Sequence, residues 1–273
     1  MAAIRRFFFR LFCSTPERKA RRAQLKAAKG EDHEQYLALM ANYADLAQTY
    51  FGSTVSEPAE VRIARVEQVF LGLWQHLRYA ERLSDFEYML ASALIENAPT
   101  DGDIQSSEAL VTKLRLLDPG TRFAYIAYAF ENWPLRWVAL VMRQRHPAIH
   151  RIISEARCEL CGVSWQSLSD EERDCLVAFS ETMDKSPDFK VNKELSQRIS
   201  LFPRVTEIKA MWLELRPELV EVRHRYLPQQ AEREQLLKNV YGAILDAPMK
   251  RPPIVDRMVN SVHFSRHRKI DVS

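Results

Sequence analysis

The chain has 273 residues, a hydrophobic content of 47%, only seven glycines and a net charge of +3. That length accommodates about two domains of roughly 100 to 200 residues each, and alternating strand patterns are nearly absent, which excludes a strand-built architecture and predicts an all-α protein. Four cysteines, Cys13, Cys158, Cys161 and Cys175, are too few and too unevenly spaced for a disulfide framework and point to a reducing compartment, with the cytoplasm as the default.

Charge is unevenly distributed. Residues 1–30 carry +8, residues 31–107 carry −9, residues 108–162 carry +3, residues 163–249 carry −3 and the tail from Lys250 carries +4. The apolar run Phe7-Phe8-Phe9 is broken by Arg10, so neither a membrane span of about 20 apolar residues nor a secretory signal fits. Residues 1–30 are expected to be a solvated, mobile basic arm, with contact to an anionic membrane surface or nucleic acid as the alternative.

From Asp32 to Phe51 the set Tyr36, Leu37, Met40, Tyr43, Leu46 and Tyr50 predicts one helix with a single buried stripe. Val61 to Leu77 predicts a second helix burying Val66, Val69, Phe70, Leu73, Trp74 and Leu77. Ser84 and Glu87 have capping-box spacing for a third, with Phe86, Leu90, Ala93 and Leu94 inward. These define a first domain at 31–98, and the polar stretch after Asn97 supplies a linker at 99–107.

Leu117 to Arg157 has the pattern of a helix-turn-helix. Asn132-Trp133-Pro134 ends the helix carrying Phe123, Ile126 and Phe130, and a second helix carries Trp137, Val138, Leu140 and Val141. Pro147 then opens a third with Ile149, Ile152, Ile153 and Ala156 on its apolar side. Opposite the isoleucines stand His150, Arg151, Ser154 and Arg157, preceded by Arg143, Arg145 and His146. Those seven are the candidate DNA contacts of a second domain at 108–162, since a helix so presented can enter a major groove.

Beyond it a helical extension is expected at 163–249, with a helix from Ser169-Asp170-Glu171-Glu172 to Met183, one from Val205 to Leu227 interrupted by Pro217, and one from Gln230 to Leu245. The near-neutral charge suits packing or partner binding better than a nucleic-acid platform. A basic tail follows at 250–273. Zinc on Cys158 and Cys161 with His146 and His150 fails on distance, because His146 and Cys158 on one helix stand about 18 Å apart. No metal, no cofactor and no enzyme are expected, because phosphate loops, serine elbows and HExxH motifs are all missing from the sequence.

The order Leu117, Pro119, Arg122, Val138-Ala139, Ile149, Ile153 and Ala156-Arg157 resembles region four of bacterial RNA polymerase sigma factors of the extracytoplasmic-function type. Val66-Glu67-Gln68-Val69-Phe70 to Trp74, with Phe86 to Leu90 and Ala93 to Asn97, is similar to their region two. The likeness spans roughly residues 35–162. It departs at Arg143, where the family usually has glycine, and at Ile152, Glu155, Ser92 and Glu96, where it has basic residues. The resemblance implies a sigma-like transcription regulator in which Glu67, Gln68, Leu71 and Gln75 dock on the RNA polymerase core and the third helix contacts promoter DNA. The stretch 31–107 at −9 repels a phosphate backbone. The alternative is therefore a sigma mimic or interaction module that binds an anti-sigma factor or another partner without specific DNA binding.

Overall fold

The structure, a computed structural model, describes residues 15–54, 57–98, 109–185 and 192–250. The linker expected at 99–107 and the tail beyond Lys250 lie outside the described residues. Among the described residues the chain is all-α, with 13 helices and no strand. None of these helices is long and apolar enough to cross a membrane.

Helix α1 (Pro16–Ala28) starts where the Thr15 hydroxyl accepts from the Arg18 amide and proline takes the first turn, where its missing N–H costs nothing. It buries Arg18, Leu25 and Ala28, so this part of the expected mobile arm is in fact a packed helix. The single helix expected over 32–51 is two, α2 (His33–Ala41) and α3 (Ala44–Gly52). Between them the Asn42 side-chain amide donates back to the Ala38 carbonyl at 2.7 Å, and Tyr43 leaves helical geometry with its hydroxyl turned to Glu87. The break lets α3 run inward. Its residues from Leu46 to Gly52 are all buried, including polar Gln48 and Thr49, which makes it a helix enclosed on every side.

Helix α4 (Ala59–Gln75) buries the stripe read from the sequence. In α5 (Leu83–Glu96) the Asp85 carboxylate accepts from the Arg82 amide at the N-terminus, and Ser84 and Glu87 form no capping box. Glu87 is instead fully buried. Then come α6 (Ala109–Leu116), α7 (Pro119–Ala129) and α8 (Leu135–Val141), with Asp118 capping α7 through the Gly120 and Thr121 amides. Helix α9 (His146–Leu160) is the third element of the helix-turn-helix pattern. The extension supplies α10 (Asp170–Lys185), α11 (Lys193–Ser200), α12 (Pro203–Tyr226) and α13 (Gln230–Leu245). Ser169 and Glu172 cap α10 reciprocally, as their spacing predicts.

Two cores result, and they do not follow the expected boundaries. The larger joins buried residues of α1 through α9 to Leu215, Val222, Leu236, Val240 and Ile244 of the extension. Residues 31–98 and 108–162 therefore share one interior. The smaller core gathers Trp165, Leu176, Phe179, Ile199, Ile208 and Trp212 around Cys158 at the end of α9. Nor is the extension simply appended, because α13 returns along α4. Arg233 clasps Asp45 through two bonds of 2.6 and 2.8 Å, and the Trp74 indole donates to the Ala247 carbonyl at 2.7 Å. The Lys250 amide donates to the Gln75 carbonyl, which ties down the end of α4.

Candidate functional site

A tight turn leads into α9. Arg143 adopts a left-handed conformation with φ of 52°, and the Gln144 amide donates to the Ala139 carbonyl. Its guanidinium lies 3.6 Å over the ring of Tyr88 on α5, so this exposed side chain is already engaged within the fold.

Helix α9 packs against neighbours on two sides. Ile149, Ile153, Ala156 and Leu160 enter the main core, as the apolar period requires. His150, Ser154 and Arg157, expected to read bases, are also buried. Ser154 donates to the His150 carbonyl of its own helix at 2.8 Å. Arg157 donates to the Ser180 hydroxyl on α10 and, at 3.2 Å, to the Tyr128 hydroxyl on α7. The same guanidinium stands 5.5 Å from the rings of Tyr128 and of Trp212 on α12. Cover supplied by α10 and α12 turns the polar side of α9, which the sequence presents as a reading face, into an internal seam. Arg145, His146 and Arg151 remain exposed, with Ile152 and Glu155 half-buried beside them.

The residues expected to dock on polymerase are together on one side of α4. Gln68 is exposed, while Glu67, Leu71 and Gln75 are half-buried. Leu71 packs against the edge of the main core.

Between α7, α9 and α12 lies an open cleft of about 760 Å³. Arg136, Arg157, Arg216 and Arg223 line it together with His146 and His150, against the single carboxylate of Glu181. Tyr125, Tyr128, Trp133 and Trp212 supply aromatic surface. The His146 and His150 rings meet edge to face at 4.6 Å. Beside it, Glu131 is pushed up to about 7, chiefly by burial and then by Asp45, with Arg223 and Arg233 opposing. Sequence reasoning missed the contribution of α12. Arg216, Leu219, Val220 and Arg223 recur at helical spacing, but their mixed polarity carries no motif.

Among the described residues no three His, Cys, Asp or Glu side chains converge on a point that could hold a metal. Cys158 and Cys161 are free thiols; burial pushes Cys158 far above the ordinary thiol range and Cys161 up to about 11. Comparison of the chain with protein-family models, with curated proteins and with solved structures finds no match.

Proposed function

We propose that the chain is a sigma-factor-like regulator that works by binding a protein partner of the transcription machinery, an anti-sigma factor or the polymerase, without reading promoter DNA through α9. One observation carries this reading. The Arg157 guanidinium, which a major-groove reader would hold free, is buried and bonded to Ser180 and Tyr128. Base readout needs side chains that reach the groove edges, and a guanidinium withdrawn into a seam cannot do so without undoing the fold. The acidic stretch 31–107 points the same way, because it suits a basic protein surface and not a phosphate backbone.

A second reading, direct promoter contact, is favoured by the exposure of Arg145, His146 and Arg151. The two separate cleanly. Binding of the full chain to duplex DNA is followed by fluorescence anisotropy across salt, in parallel with capture of the RNA polymerase core and of anti-sigma factors. The partner reading expects capture that Arg151→Ala leaves intact, and only weak, sequence-independent DNA binding that fades with salt. Sequence-selective DNA binding that Arg145→Ala and Arg151→Ala abolish would establish the second reading instead.

A further inference from the structure

We infer that the cleft between α9 and α12 binds a nucleotide-sized phosphate ester carrying a planar ring, its anionic end held by Arg216 and Arg223 and its ring lying against the aromatic wall. The first ground is charge. Four arginines line one concavity against one glutamate, and such a concentration of like charge in a walled cleft draws an anion. The second is an incomplete hydrogen-bond inventory. Arg223 Nε is buried and meets no acceptor among the described residues, although the Glu131 carboxyl lies near enough to feel its charge. A buried donor without an acceptor costs free energy, which a phosphate oxygen at that point would recover. The guanidinium fork fits phosphate oxygens in pairs, which a point-like ammonium does not. No carboxylate among the described residues is paired with Arg216, which is exposed at the rim.

Size and wall chemistry narrow the class. A volume of about 760 Å³ falls within the range of small-ligand pockets, well above what inorganic phosphate would fill. Tyr128 is half-buried in the wall, and stacking on such a ring is tolerant of which base is presented. An apolar ligand would desolvate Arg216 without supplying it an acceptor. The inference does not depend on the partner-binding reading of the chain.

Calorimetric titration of the full chain with ADP, GDP, CDP and UDP, and with inorganic phosphate and the parent nucleosides, tests it. At least one diphosphate should bind saturably, about tenfold or more tighter than phosphate or its own nucleoside, because both ends of the ligand are used. Arg216→Ala should weaken that binding about tenfold through loss of a charge-assisted pair. Val220→Glu should do likewise by adding a carboxylate to the lining, while Val220→Gln stays within about twofold. Both positions are exposed, so unchanged melting temperatures separate these effects from misfolding. The inference is overturned if no diphosphate saturates at millimolar concentration, if none exceeds phosphate alone, or if Arg216→Ala and Val220→Glu leave binding unaltered. A 5′-phosphorylated single-stranded oligonucleotide that binds more tightly than every mononucleotide overturns it in favour of a nucleic-acid groove.

Discussion

The indole of Trp137 on α8 donates a hydrogen bond of 2.9 Å to the carboxylate of Glu87 on α5, and this contact joins the two halves that the sequence divides. The same carboxylate accepts from the Tyr43 hydroxyl at 2.9 Å and pairs with Arg18 of α1 at 3.1 Å. Trp133 stacks on Trp137 at 4.5 Å, and the Arg18 guanidinium lies 4.5 Å from the Trp137 ring. Burial raises the Glu87 carboxyl above its ordinary value, while Arg18, Trp137 and Tyr43 oppose that rise. Removing one member of a buried pair strands the other, so Glu87→Ala should destabilise the fold by about 3 to 5 kcal/mol. Trp137→Phe, which removes one donor to a charged acceptor, should cost about 1.5 to 3 kcal/mol. Urea unfolding of both variants and their double mutant should show marked non-additivity. A Glu87→Ala cost below about 1 kcal/mol would contradict the role given to this network.

Glu131 gives the fold a pH dependence. Its carboxyl is raised from 4.5 to about 7, first by burial and next by the like charge of Asp45, against Arg223 and Arg233. A carboxyl raised on folding binds its proton more tightly in the native state, so unfolding stability falls as pH rises between those two values and the loss is complete above the upper one. The full effect is about 3 kcal/mol. Glu131→Gln should flatten the profile and leave the variant more stable than the parent near pH 8, as read from urea midpoints taken near pH 5 and pH 8. Equal slopes in the two proteins would rule Glu131 out as the source.

Much of the helical layout is legible in the sequence because burial repeats with the helix. Val66, Phe70, Leu73 and Trp74 are inward as read, and α13 spans Gln230 to Leu245 as its flanking residues indicate. What a stripe does not encode is its partner. The apolar faces around Tyr43, Phe86 and Trp133 belong to one interior, yet each alone is equally consistent with a separate small bundle. Glu87 stands three residues after Ser84 and so reads as a cap, because its real partners Arg18 and Trp137 lie 69 and 50 positions away. The polar face of α9 misleads for the same reason. His150, Ser154 and Arg157 look solvent-facing until α10 and α12, distant in sequence, are laid over them.

The thiols of the Cys158-x-x-Cys161 pair should be sluggish in the native protein. Burial is the main cause of both shifts, and Lys113 only partly offsets it at Cys161. Reactivity follows the thiolate, so a rise from 9.0 to about 11 should slow Cys161 by about a hundredfold relative to the unfolded chain. Labelling of a Cys13→Ser variant with a disulfide reagent, with and without urea, measures the ratio. Native thiols reacting as fast as unfolded ones would show that the seam around Cys158 opens readily.

Arg143 occupies a position where backbone and side chain pull in opposite directions. A non-glycine residue at φ of 52° bears a cost of about 1 kcal/mol, which glycine avoids. Against that, the guanidinium 3.6 Å over Tyr88 contributes about 0.5 to 1 kcal/mol at an exposed site. Arg143→Gly removes both strain and contact, so its net effect on stability should lie within about 1 kcal/mol of zero. Arg143→Ala keeps the strain and loses the contact, and should be the less stable variant by about 1 kcal/mol. Denaturant midpoints of the three proteins decide the matter. If alanine matches or exceeds glycine, the left-handed turn is not held under strain, and its likeness to a glycine-bearing helix-turn-helix loses its physical basis.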